Sequence, residues 1–383
     1  MENIQFAILA VDKKAIEEDA KNGVLGDFVV GRLITPYISL LNKEYLRDIE
    51  LITKQRFIKE DLEDLIIEFG ELARGLVIEP QYLVLERMRK RSKAYPPLKY
   101  SYIHMLSSRF YEKNMHSILD GYHTVLYDLA KDKLIKFDGE YIALNNSFID
   151  NILSTKTLKR VLNRTKYFKK ALYSYITHGR AGKVTLDIVL KELTSKVKRE
   201  LKITFEKQDI EDPKNYLFLD TKEKLIKLSE KNTIKEIIYK IKDPKEIKVQ
   251  SIAGAMNDVY LVKADNEKLI VKRFTDWFNI KWFALSIIAY GTKVFTLSGK
   301  ARLSNEYGIN HLLAENNIPV PEIVSINIKE RVLIEKYIEG KSILDIVKEA
   351  VKTENLSKEQ KKWAFQVGKL IAKIHSLDIA LGD

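Results

Sequence analysis

Residues 247–274 read IKVQSIAGAMNDVYLVKADNEKLIVKRF, and this stretch decides the fold of the last third of the chain. Ile247–Ile252, Val259–Lys263 and Lys268–Phe274 are short runs rich in β-branched and aromatic residues, the composition of strands. Between them lie a small-residue turn, Ala253-Gly-Ala-Met-Asn-Asp258, and a polar one, Ala264-Asp-Asn-Glu267. Three strands joined by two short connections predict an antiparallel sheet. Gly254 has no side chain to stand between backbone N–H groups and a phosphate oxygen. Lys272, on the third strand, is placed to reach such an oxygen as a point charge.

Further along, Arg302-Leu-Ser-Asn-Glu306-Tyr-Gly-Ile-Asn-His-Leu-Leu313 has helical spacing. Ile318-Pro-Val-Pro-Glu-Ile-Val324 and Val332-Leu-Ile-Glu-Lys-Tyr-Ile-Glu-Gly340 read as two more strands, and Val367–Asp383 begins as a helix. In this order the segments resemble the protein-kinase fold, most closely the atypical archaeal kinases of the KEOPS-complex and RIO type. The resemblance covers about 247–383. Ser251–Tyr260 is similar to a reduced glycine-rich loop, Leu269–Lys272 to the lysine strand, and the 302–313 helix to the one whose glutamate pairs with that lysine.

The resemblance implies a nucleotide-binding lobe with ATP as cofactor and, in the complete enzyme, transfer of phosphate to Ser or Thr of a protein substrate whose identity it leaves open. Lys272 would hold the α/β-phosphates and Glu306 would fix its rotamer. Gly254 would line the phosphate loop. Glu335 and Tyr337 would offer backbone groups to the adenine edge, and Asp383 would accept the substrate hydroxyl proton. The sequence departs from the family in having one glycine in the loop rather than three, and Leu381 where the catalytic loop carries His or Tyr. It reaches Asp383 before the asparagine and the second aspartate that hold Mg²⁺. Metal binding and kinase activity are therefore expected only with a C-lobe supplied. The alternative to these roles is that Lys272 and Glu306 form an ordinary ion pair between two elements and that Asp383 is a solvated terminal residue, an alternative that weighs more for Asp383 than for the pair.

A length of 383 residues and 44.4 kDa predicts two or three domains. The absence of cysteine excludes disulfides, thiolate metal sites and cysteine nucleophiles. The six histidines show no metal-ligand spacing, so no metal site is expected. No apolar run is long enough to span a membrane and no leader pattern opens the chain, so a soluble cytoplasmic protein is expected. The apolar stretch Asp276–Gly291, with two tryptophans, reads as a helix packed on the lobe, or else as a contact with a membrane surface or partner.

The net charge of +12 is concentrated: residues 156–202 carry fourteen lysines and arginines against three acids. Tyr167, Phe168, Tyr173 and Tyr175 interleave with these cations, and Gly179-Arg-Ala-Gly-Lys183 is a flexible basic loop. Lys166, Lys169, Lys170, Arg180 and Lys183 are thus candidates for contact with a nucleic-acid backbone. A solvated helical face is the alternative. The preceding residues bear on the former, because three helical patterns (99–110, 114–120, 122–132) lead into two alternating runs around Asp138-Gly139, the outline of a winged helix-turn-helix. Any small helical domain can also end in a hairpin.

Nearer the N-terminus, residues 4–11 read as a strand, Asp12–Asn22 as a helix closed by Gly23, and 25–75 as helix-rich, with a break at Tyr95-Pro96-Pro97. A last helix is expected at about 221–241. The chain is thus expected to be α+β: a helix-rich domain over 1–97, a basic helical domain with the possible winged helix over 98–205, a charged helical linker over 206–245, and a kinase-like lobe without its C-lobe over 246–383.

Overall fold

The computed structural model describes residues 10–95, 98–155, 210–221, 224–229, 247–252, 257–265, 267–275, 298–353, 357–377 and 379. The expected strand at 4–11, the basic stretch 156–202, Gly254, the apolar stretch 276–291 and Asp383 all fall on or across segments outside these residues. The fold is α+β, helix-rich at first and then sheet-based. It divides into two compact units, Met1–Asp220 with Lys227–Glu230, and Thr221–Ile226 with Lys231–Asp383.

In the first unit α1 (Lys13–Asn22) begins where Asp12 Oδ1 accepts the N–H groups of Lys14 at 2.9 Å and Ala15 at 3.2 Å, and ends on Gly23 at φ 67°. The 27-residue α2 (Lys43–Phe69) buries Ile49, Phe57, Ile58, Leu62, Leu65 and Ile66. A short 3-10 turn leads to β1 (Leu76–Ile78) and then α3 (Pro80–Ala94), which opens on a proline whose missing N–H is no loss there and stops before Pro96. Next come α4 (Leu98–Met105) and α5 (Tyr111–Lys131).

One helix over 111–131 replaces the two expected at 114–120 and 122–132. Gly121 does not break it; it gives room to α2, since a Cβ there would overlap the side chains of Glu50 and Lys54. Lys54 is 1% exposed, 2.6 Å from Glu50 Oε1, and also donates to the Ile118 carbonyl at 2.8 Å. Burial pushes its pKa below the ordinary lysine value, and Glu50 opposes that.

The hairpin forms as expected: β2 (Ile135–Asp138) pairs with β3 (Tyr141–Leu144), with Asp138 opposite Tyr141 and Gly139 at φ 61° starting the two-residue turn. After α6 (Asn146–Ser154) come β4 (Leu217–Asp220), antiparallel to β1, and the short β5 (Leu225–Lys227). The strand order is β2-β3-β1-β4-β5. The helix expected from 221 does not start there: Thr221 donates its N–H and hydroxyl to the Lys224 carbonyl at 3.1 and 3.0 Å, turning the chain back into β5. Residues 230–241 are outside the described set.

The second unit holds the other antiparallel sheet: β6 (Ile247–Ile252), β7 (Asp258–Ala264), β8 (Glu267–Arg273), β9 (Ile323–Asn327) and β10 (Val332–Lys336), in the order β6-β7-β8-β10-β9. Its first three strands are those read from 247–274. Val262, Ala264, Leu269, Val271, Val324, Val332 and Ile334 form one apolar cluster on it. Among the described residues, three helices belong to this unit: α7 (Gly299–Glu315), α8 (Ile343–Thr353) and α9 (Lys358–His375), the last opened by a Ser357/Gln360 capping box. Gly299 lets α7 start hard against the end of the lysine strand, where a Cβ would overlap the Phe274 carbonyl.

Candidate functional site

The sheet register decides which side chains can meet Lys272. Residue 272 on β8 lies opposite Leu333 on β10, so Glu335, two residues further along β10, shares its face as a diagonal neighbour. Both side chains are long enough to close that gap. Glu306 comes from α7, which is placed by the close start at Gly299 and by Arg302, whose guanidinium donates to Asn257 Oδ1 at 2.6 Å and to the Thr275 carbonyl.

The result is one cation between two carboxylates. Lys272 Nζ is 2.5 Å from Glu306 Oε1 and 2.8 Å from Glu335 Oε2. Their side chains are 24%, 32% and 4% exposed for Lys272, Glu306 and Glu335 respectively. Desolvation works against the ammonium, but Glu306 and Glu335 together outweigh it and hold Lys272 above the ordinary lysine value. Desolvation also raises Glu335 above the ordinary carboxylate value, against the pull of Lys272 and with a push from Glu306. With all three groups ionised, the cluster carries one net negative charge.

Lys272 and Glu306 are therefore brought together, the contact that the resemblance implies. Glu335 has its backbone inside the ladder, opposite Ile270 on one side and Ile323 on the other, while its side chain turns to Lys272. The sequence names Glu335 for its backbone only; that its side chain is the third member of the cluster is what sequence reasoning did not supply. The signal was present, since a glutamate inside the apolar run Val332-Leu-Ile-Glu needs a buried partner. Tyr337 follows the end of β10, and its N–H donates to the Lys268 carbonyl at 3.0 Å. A cavity of about 400 Å³ opens at this end, lined by Glu267, Lys268, Leu269, Lys336, Tyr337 and Glu339. A larger cavity of about 790 Å³ lies within the first unit.

The residues present fit a nucleoside triphosphate in one respect. An ammonium has three donors; the two carboxylates engage two, and the remaining exposure leaves the third for a phosphate oxygen. Among the described residues no group of His, Asp and Glu side chains is arranged to hold a metal ion, and no helix is long and apolar enough to cross a membrane.

Residues 248–383 match the model of a phosphotransferase enzyme family, which sets that part of the chain among protein-kinase-like sequences. The match begins one residue into β6 and includes Lys272, Glu306 and Glu335. No curated protein and no solved structure matches the chain.

Proposed function

We propose that residues 247–383 form the nucleotide-binding lobe of a kinase-like phosphotransferase that holds ATP through Lys272. The observation that carries this reading is the contact of Lys272 with Glu306 across β8 and α7 at 2.5 Å, in a segment that matches a phosphotransferase family. Glu306 keeps the lysine extended toward the open side of the sheet, where its remaining donor meets the phosphates. Gly254 lies in the connection between β6 and β7, where a phosphate loop belongs. The end of β10 at Tyr337, where paired strand gives way to irregular backbone, is where the adenine edge would find main-chain groups. Asp383 takes the role of the base toward a Ser or Thr hydroxyl, Mg²⁺ arrives with ATP, and the kinase type is that of the archaeal KEOPS and RIO enzymes. A cytoplasmic location follows from the use of ATP.

Titration with ATP and with adenosine tests this. ATP is expected to bind more tightly, by a margin that disappears in Lys272→Met; equal binding of the two ligands by the unaltered chain would sink the assignment.

Glu335 sets a second expectation, of opposite sign. Its carboxylate occupies a donor of Lys272 and adds the charge that makes the cluster net negative, so it competes with the phosphates. Glu335→Gln is expected to tighten ATP binding about tenfold, the size of one charge-assisted hydrogen bond. Because the folded-state pKa of Glu335 is raised, its contribution to stability is present below the unfolded value and is lost as pH rises through the folded one. Acidification toward that raised value neutralises the carboxylate and frees Lys272. ATP affinity should therefore rise on mild acidification in the unaltered chain more than in Glu335→Gln, and parallel pH profiles would refute this.

Nucleic-acid binding is the second reading, and one observation favours it. Helices α3, α4 and α5 lead into the β2–β3 hairpin, with β3 between β1 and β2, an arrangement that shares with a winged helix-turn-helix its helices followed by a two-stranded ribbon but has one helix more between β1 and β2. The exposed charged residues of α5 are Glu112, Lys113, Asp120, Asp128 and Lys131, three acids against two lysines, and the hairpin tip carries Asp138 and Glu140. Neither surface suits a phosphate backbone, so the contact would rest on Lys166, Lys169, Lys170, Arg180 and Lys183 in the basic stretch. Neutralising these five is expected to abolish a salt-dependent affinity for DNA or RNA; affinity that does not fall with added salt rules this reading out.

A further inference from the structure

The 790 Å³ cavity of the first unit is walled by the 26–37 loop, the second half of α3, α4 and the start of α5. Arg32, Arg87, Lys90 and Arg91 reach it, with Asp27 as the acid on its wall. Most of these charges are already matched. Asp27 holds Arg56 at 2.5 Å. Arg87 lies on Asp61 at 2.9 Å and Glu60 at 3.2 Å. Lys90 lies on Asp61 at 2.8 Å and Asp64 at 2.5 Å.

Arg91 is different. Its guanidinium donates to the Gly31 carbonyl, to the Tyr102 hydroxyl at 2.8 Å and to the Asp27 carbonyl at 3.2 Å, all neutral acceptors. Among the described residues it forms no ion pair. Gly31 makes the approach possible, because a Cβ there would overlap the guanidinium. Arg32, the next residue, is exposed and lies over the Phe28 ring at 5.2 Å. A half-buried guanidinium oriented by neutral acceptors keeps its charge unmatched, and beside an exposed second arginine it draws a planar or tetrahedral oxyanion. Much of the wall is aromatic, Tyr37 and Tyr95 lining it with Phe28, Phe110 and the buried Tyr102, and a wall of that composition suits a planar ring. The volume is that of a small-molecule site.

We propose that this cavity binds a small ligand carrying both a phosphate and a planar ring, the chemistry of a mononucleotide, with Arg91 and Arg32 on the phosphate and the aromatic wall on the ring. It is independent of the Lys272 cluster, and the test is built to keep the two apart. The full-length chain carrying Lys272→Met is titrated calorimetrically with AMP, adenosine and inorganic phosphate. One AMP per chain is expected, with adenosine and inorganic phosphate each at least tenfold weaker. Arg32→Ala and Arg91→Gln should each weaken AMP about tenfold or more. Arg32 is exposed, so its substitution leaves the fold intact, as circular dichroism will show, and it decides the matter alone should Arg91→Gln fail to fold. Absence of AMP binding, AMP affinity unchanged in Arg32→Ala, or either fragment binding as tightly as AMP overturns the proposal.

Discussion

Lys272→Met is expected to weaken ATP binding about 100-fold while leaving adenosine binding nearly unchanged. Methionine keeps much of the length and apolar stem of lysine but removes the ammonium, which Glu306 and Glu335 hold in its charged form. The direct loss is one charge-assisted hydrogen bond to phosphate, about 1.5–3 kcal/mol. A second loss follows from the neighbours. With the cation gone, two carboxylates remain where the phosphates arrive, and their repulsion carries the total to about 3 kcal/mol, or roughly two decades in affinity. The substitution also leaves Glu335, at 3% exposure, without its counter-ion, so some loss of stability accompanies it. Combining Lys272→Met with Glu335→Gln separates the effects: stability should recover while ATP affinity stays low. Glu335→Gln alone moves affinity the other way. Substitutions within one cluster that shift affinity in opposite directions are hard to attribute to a damaged fold. ATP binding to Lys272→Met as tightly as to the parent chain, measured on folded protein, would remove Lys272 from the nucleotide site.

What was legible in the sequence follows from how local each determinant is. The β6–β8 meander is written in adjacent residues: three β-branched runs and two short turns leave little other choice. Lys272 and Glu306 were legible because their spacing follows a family pattern. β1 and β4 were not, because three- and four-residue strands carry little periodicity, and Val77 finds Phe218 across 141 positions of chain. Gly121 shows the same limit from the other side. A glycine in a helical pattern reads as a break, and only the packed partner, α2 with Glu50 and Lys54, shows why the helix runs through it. The buried charges were hidden for a related reason. Lys54, Asp61 and Arg87 are 1%, 1% and 2% exposed, yet in sequence they belong to the charged face that a surface helix is expected to show. Glu335 was equally hidden. Its residue type stood in an apolar strand, but the identity of its partner depended on a register that no short motif specifies.

Arg87→Met should lower the stability of the first unit by about 3–5 kcal/mol, the range for breaking one side of a buried ion pair. The Arg87 guanidinium donates to both oxygens of Asp61 at 3.1 and 2.9 Å, to Glu60 at 3.2 Å and to the Phe57 carbonyl at 2.7 Å, and lies over the Phe57 ring at 4.1 Å. It joins α3 to α2 through four hydrogen bonds and is 2% exposed. Methionine fills much of the volume but satisfies none of the acceptors, leaving Asp61 with Lys90 at 2.8 Å as its remaining partner among those described. A loss of this size in a unit of about 200 residues lowers Tm by roughly 10 °C. The discriminating variant is the double substitution Arg87→Met with Asp61→Leu, which removes the pair together, so that no Asp61 carboxylate is left buried without its arginine; Lys90 keeps Asp64 at 2.5 Å. That chain should be more stable than Arg87→Met alone, because an apolar replacement of a whole buried pair is tolerated better than half of one. If the two substitutions instead add, the Asp61 contact contributes nothing beyond packing, and the junction of α2 and α3 is held by Phe57 and its apolar neighbours.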